Sequence, residues 1–140
     1  MEFRDYKDYP ILVVDDEDDF LALFRRLGHA FHLETESFPS EALIKAQRCS
    51  YCVVISDNKM RDTPEMPEDE QAGVTFLRRI KGIDTHPLRV LVTGWSKEGI
   101  HPNPSRDADI NVLIDKLEVL TDEEWSDTLR ALIDVHRQTH

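Results

Sequence analysis

Short apolar runs punctuate the chain, and each stops on a polar residue. Ile11-Leu12-Val13-Val14 stops on Asp15, Val53-Val54-Ile55 on Ser56-Asp57, Leu88-Arg89-Val90-Leu91-Val92 on Thr93, and Ile110 to Ile114 on Asp115-Lys116. Runs of this length, with β-branched residues and polar stops, predict strands buried on both faces. His32 to Phe38 alternates only weakly around Glu34 and Glu36, which predicts an edge strand. Tyr51 to Ser56 is taken as the whole of the third strand, with Asp57 at its carboxyl end.

Helical spacing fills the gaps. Phe20, Leu21, Phe24 and Leu27 share one face after the acidic cluster Asp15 to Asp19, and Gly28 is a stop. Acids suit a first helical turn through the helix dipole. Pro39-Ser40-Glu41 opens a second helix to about Gln47, and Gly73 to Lys81 forms a third on Val74, Phe76, Leu77 and Ile80. Thr121-Asp122-Glu123-Glu124 is a capping box for a last helix whose apolar face is Trp125, Leu129, Leu132, Ile133 and Val135. Two stretches break the pattern. Arg61 to Glu70 holds two prolines and five acids and predicts a loop. Trp95 to Ala108, with Gly99, Pro102 and Pro104, leaves room only for a short or irregular helix.

Strands alternating with helices imply one parallel sheet covered on both faces. Right-handed crossovers then bring the ends of successive strands to one edge. Asp15, Asp16, Asp57, Thr93 and Lys116 should therefore emerge together at the carboxyl edge, where open α/β sheets bind ligands.

Composition narrows the partners. The chain has 140 residues, 40% of them hydrophobic and 32% charged, which fits one charged globular domain. Its net charge of −11 argues against binding nucleic acid through phosphates and against an anionic membrane surface, but not against a basic protein partner. No apolar run reaches the roughly 20 residues that span a bilayer. The acids of Met1 to Asp8 do not read as a signal peptide, so the expected location is cytoplasmic. Residues 1–8 are a polar lead-in, 9–137 a single domain and 138–140 a tail.

The converging residues suggest a chemistry. Gathered carboxylates repel one another unless a cation lies between them. Magnesium suits such a site because it takes few protein carboxylates and accepts a phosphate oxygen. A carboxylate is also a nucleophile that forms an aspartyl-phosphate. A hydroxyl and a lysine would steady the transferring phosphoryl oxygens.

Val13-Val14-Asp15-Asp16, Ser56-Asp57 with Met60, Val92-Thr93-Gly94 and Asp115-Lys116, in that order, resemble the receiver domain of bacterial two-component response regulators. The resemblance runs over roughly residues 9 to 137. It implies a flavodoxin-like doubly wound sheet of order 2-1-3-4-5, a fold for which the handling of ligands at the switch point is well known. It implies that Asp57 accepts a phosphoryl group from a sensor histidine kinase or phosphotransfer protein, in a phosphorelay the domain catalyses on itself. It also implies magnesium on Asp16, Asp15 and Asp57, with the Lys59 main-chain carbonyl as a further ligand. Thr93 would bond the phosphoryl oxygen and Lys116 would pair with it. Output would come from a partner protein or from further chain, since no DNA-binding motif follows, and homodimerisation is left open.

The chain departs from the family in four places. Leu117 follows Lys116 where proline is usual, Leu113 stands where a switch aromatic is frequent, Arg61 replaces the proline after Met60, and Pro102 and Pro104 interrupt the fourth helical segment. Two other readings compete. Asp16-Glu17-Asp18 matches the D-x-D of haloacid-dehalogenase-like phosphatases, although Asp57 would then be idle. A pseudo-receiver that only binds partners would explain Leu113. Among weaker signals, Cys49-Ser50-Tyr51-Cys52 precedes a strand and reads as two unlinked thiols. His136 and His140 read as solvated at a fraying end.

Overall fold

The chain is described from a computed structural model that covers residues 10–27, 31–93, 109–115 and 125–139. Five strands, β1 (Pro10–Val14), β2 (His32–Glu36), β3 (Val53–Asp57), β4 (Leu88–Thr93) and β5 (Val112–Asp115), form one parallel sheet of order β2-β1-β3-β4-β5. Four helices are described: α1 (Asp18–Leu27), α2 (Pro39–Arg48), α3 (Ala72–Ile83) and α4 (Trp125–Thr139). The alternation predicted the parallel sheet, and the order is the flavodoxin-like one that the resemblance implied. The expected irregular helix over Trp95 to Ala108, the capping box at Thr121 to Glu124, and Lys116 with Leu117 all lie outside the described residues.

Strand alternation builds two cores. Ile11, Val13, Val53, Ile55, Val90 and Val92 face Phe20 and Phe24 of α1 and Trp125, Leu129 and Ile133 of α4. Leu12, Val14, Val54 and Leu91 face Ala42 of α2 and Val74, Phe76, Leu77 and Ile80 of α3. Each fully buried aliphatic or aromatic side chain contributes about 1.5–3 kcal/mol. The inner strands β1, β3 and β4 are therefore apolar on both faces, whereas edge strand β2 is only partly covered.

Polar residues settle the edges of this frame. Lys45 of α2 pairs with Glu36 of β2 at 2.8 Å. Arg25 of α1 donates to the Thr35 hydroxyl at 2.5 Å. At the amino edge Arg89 is buried inside β4 and donates through Nε to the Asp109 carbonyl at 2.7 Å. His136 is not solvated, as its place near the chain end suggested. It is 9% exposed, and its Nε2 lies 2.8 Å from the His86 carbonyl. Its spacing from Trp125, Leu129 and Ile133 puts it on the buried face of α4.

Candidate functional site

β1 delivers the first two acids. The Asp15 N–H donates to the Glu36 carbonyl at 3.1 Å, so the chain stays fastened to β2 for one residue beyond the strand. Asp15 is 1% exposed, and its Oδ1 accepts the Glu17 N–H at 2.9 Å. That bond turns the chain into α1, which starts at Asp18. The acidic cluster thus divides. Asp18 and Asp19 occupy the first helical turn, while Asp15 and Asp16 precede it at the sheet edge. Asp16 is half-buried, and its Oδ2 accepts the Arg61 N–H at 3.3 Å.

β3 delivers the third. Asp57 is the last residue of the strand, in register with Val92 of β4, and is buried. Its Oδ1 accepts the Asn58 N–H at 2.8 Å. One carboxylate oxygen from each of Asp15, Asp16 and Asp57 lies within 4.8 Å of the others. Magnesium–oxygen bonds of about 2.1 Å put neighbouring ligand oxygens about 3 Å apart and opposite ones about 4.2 Å apart. The cluster gathers within 4.8 Å and is made of hard oxygen donors, so this donor set fits the ion. Thr93, also buried, ends β4 one register step beyond the partner of Asp57 and pairs with Asp115 of β5. Sequence reasoning brought these four residues to one edge, and the structure places them there. Lys116 lies outside the described residues.

Lys59 follows in the turn, with its ammonium 3.6 Å from Glu68. Beyond it, the acidic stretch is a loop, and it is closed at its base. Met60, fully buried, exchanges two backbone hydrogen bonds with Asp69, at 3.2 and 2.9 Å. The loop also docks sideways on α2. Phe38, the N-cap of that helix, makes no side-chain cap bond. The Asp62 carbonyl instead accepts both the Ser40 N–H, at 3.3 Å, and the Ser40 hydroxyl, at 2.8 Å. The open first turn of α2 is thereby satisfied from a distant segment.

Two residues at the site carried no sequence signal of their role. Gly73 lies in the first turn of α3, where a Cβ would sit 2.0 Å from the Asp57 carbonyl oxygen. Only glycine lets the helix start come so close to the strand end. Asn58 is buried; its carbonyl accepts the Gly73 N–H and its own N–H donates to Asp57 Oδ1. The C-x-x-C pair is split across the sheet. Cys52 packs on the α1–α4 side, where burial pushes its thiol up against the opposing pull of Arg137. Cys49 is exposed and lines a cleft with Tyr51, Ile80 and Ile83 on the α2–α3 side. Both are free thiols, as the sequence suggested.

No protein-family model matches the chain, and no curated protein matches it. Solved structures do. The signal receiver domain of an HD domain-containing protein from Pseudomonas fluorescens is 20% identical, with a TM-score of 0.72, covering 99% of this chain and 94% of that one. A CheY-like response regulator receiver domain from Methanospirillum hungatei is 16% identical, with a TM-score of 0.71 and coverage of 94% and 98%. The BeF3-activated DrrB receiver domain is 17% identical, with a TM-score of 0.65 and coverage of 90% and 97%. At these identities the likeness is one of fold: the chain has the fold of a response regulator receiver domain.

Proposed function

We propose that the chain is a phosphorylatable receiver, with Asp57 as phosphoacceptor for a sensor histidine kinase or phosphotransfer protein. The meeting of Asp57 with Asp15 and Asp16 at the carboxyl edge of the central strands carries this reading. It also weighs against a haloacid-dehalogenase-like phosphatase, in which Asp57 would be idle. In that reading Asp18 would complete the motif, yet Asp18 opens α1 and is exposed. A receiver activated by BeF3 among the proteins of this fold supports the same direction.

In this reading an oxygen of Asp57 attacks phosphorus as the phosphorus–nitrogen bond of a phosphohistidine breaks, and the imidazole leaves. The Asn58 N–H on Oδ1 sets the plane of the attacking carboxylate. Magnesium, when held by Asp15, Asp16 and Asp57 with the Lys59 main-chain carbonyl, would offset the charge on the phosphoryl oxygens. The Thr93 hydroxyl would bond one of those oxygens and the Lys116 ammonium would pair with another. Hydrolysis by water would reset the switch. The signal would pass, in the cytoplasm, to an output partner, a further domain or a second copy.

The test is direct. Incubation with magnesium and a small phosphodonor should add one phosphoryl mass, stable in acid and labile in base, and Asp57→Asn should abolish it. Turnover of a phosphatase substrate that needs Asp16 but not Asp57 would instead make the chain a hydrolase. Neither adduct nor magnesium binding would leave a pseudo-receiver.

A further inference from the structure

Asn58 follows the phosphoacceptor and is 7% exposed. A buried side-chain amide is costly unless it is hydrogen-bonded. Its Oδ1 accepts the Val74 N–H at 3.2 Å, and its carbonyl accepts the Gly73 N–H at 2.9 Å. Its own N–H donates to Asp57 Oδ1 at 2.8 Å. Gly73 and Val74 belong to the first turn of α3, whose N–H groups have no partner inside the helix. The helix's own N-cap, Gln71, makes no side-chain cap bond. Asn58 therefore does, from across a long loop, what a cap residue does locally.

The consequence reaches past the helix. The connection from Lys59 to Gln71 is itself pinned where Met60 meets Asp69, and Asn58 adds a direct tie between β3 and α3. Asn58 bypasses that connection, and Gly73 permits the close approach. The same residue that grips α3 with its side chain and carbonyl grips the Asp57 carboxylate with its N–H.

We infer that Asn58 is a positioning residue: by fastening itself to the first turn of α3, it holds the Asp57 carboxylate in the orientation that meets a divalent cation and a phosphoryl group. This rests on the reading of Asp57 given above. A residue that merely capped α3 would change melting alone. A positioning residue also changes what the carboxylate does in the folded protein.

The full chain is tested with two variants. Asn58→Leu removes the acceptor and keeps the branched shape. Asn58→Asp keeps an oxygen for the Val74 N–H. Three quantities are read: the affinity for magnesium alone by calorimetry, the rate of adduct formation with a small phosphodonor, and hydrogen exchange at the Val74 amide. Losing an outer partner of a metal-binding side chain costs about 10–100-fold in affinity or activity. Asn58→Leu, folded by circular dichroism, should lose at least about 10-fold in both affinity and rate, with faster Val74 exchange. Asn58→Asp should protect Val74 and recover most of both losses. The inference is overturned if Asn58→Leu melts lower yet binds magnesium and phosphorylates like the parent. Should Asn58→Leu not fold, Asn58→Asp decides alone: Val74 protected with affinity kept supports the inference, and Val74 protected with affinity lost overturns it. Failure of the unsubstituted chain to bind magnesium or form adduct removes the Asp57 reading itself, and this inference with it.

Discussion

The two edges of the sheet use the same residue types in opposite ways. At the amino edge, charges are matched. Asp109 lies 2.9 Å from Arg78 and 3.4 Å from Lys81, and the Arg78 hydrogen bond holds its carboxyl below the usual range. Burial pulls the Arg89 guanidinium down, but carbonyl oxygens of Asp109, Thr85 and Pro87 receive its N–H groups. The Asp84 carboxyl is likewise held low, first by the His86 backbone N–H. At the carboxyl edge, three carboxylates are brought within 4.8 Å of each other on buried or half-buried ground. The first arrangement favours the folded chain. The second gathers like charges, which repel one another and so favour a bound cation between them.

The sharpest way to break this contrast is to disturb the backbone that assembles the acids. Gly73→Ala puts a Cβ against the Asp57 carbonyl and should cost about 3 kcal/mol, at the upper end of overpacking costs. Urea denaturation would show the loss, and magnesium binding should fall with it. A parental midpoint would mean that α3 does not press on Asp57 as described.

Asp16→Asn tests the sign. It removes one of three like charges yet keeps an oxygen for the Arg61 N–H. Metal-free, it should melt higher, by about 1 kcal/mol or a few degrees, while magnesium affinity drops at least about 10-fold. Lower melting without metal would mean that the carboxylates do not strain one another.

The smallest effect belongs to the other edge. Asp109→Asn should leave magnesium binding unchanged and cost about 0.5 kcal/mol at pH 7, the scale of a partly exposed ion pair. Because the Asp109 pKa is depressed on folding, its contribution is present above the ordinary carboxylate value of about 3.9 and is lost as pH falls through the lower folded value. The gap between parent and variant should therefore be open at neutral pH and closed near pH 2. A gap that persists in acid would assign the effect to packing instead of charge.

What the sequence discloses follows from how local each signal is. Runs such as Ile11 to Val14 and Val53 to Ile55 are buried on both sides, so hydrophobicity alone marks them, and the polar stop marks their ends. The third strand is shorter at its start than its apolar content suggests, with pairing beginning at Val53, and it extends through Asp57 because that residue still pairs with Val92. Asp15, Asp16, Asp57 and Thr93 are legible because strand ends of a parallel sheet share an edge. His136 was legible too, through its helical spacing from Trp125, Leu129 and Ile133, but a position near the chain end outweighed it. Asn58 was not, since its partners are fixed only once α3 folds back. Nor was the docking of Asp62 on Ser40, which no local pattern encodes.

The ring closed by Met60 and Asp69 makes the stretch between them a port. Once the ends of a loop are pinned, doubling its length costs only about 0.6 kcal/mol. Foreign sequence spliced between Thr63 and Pro67, past the contact with Ser40, would hang from this ring beside the acidic edge without passing through the sheet. A fluorophore-bearing peptide or a binding epitope grafted there would ride next to the acidic edge while β3 and α3 stay joined through Asn58.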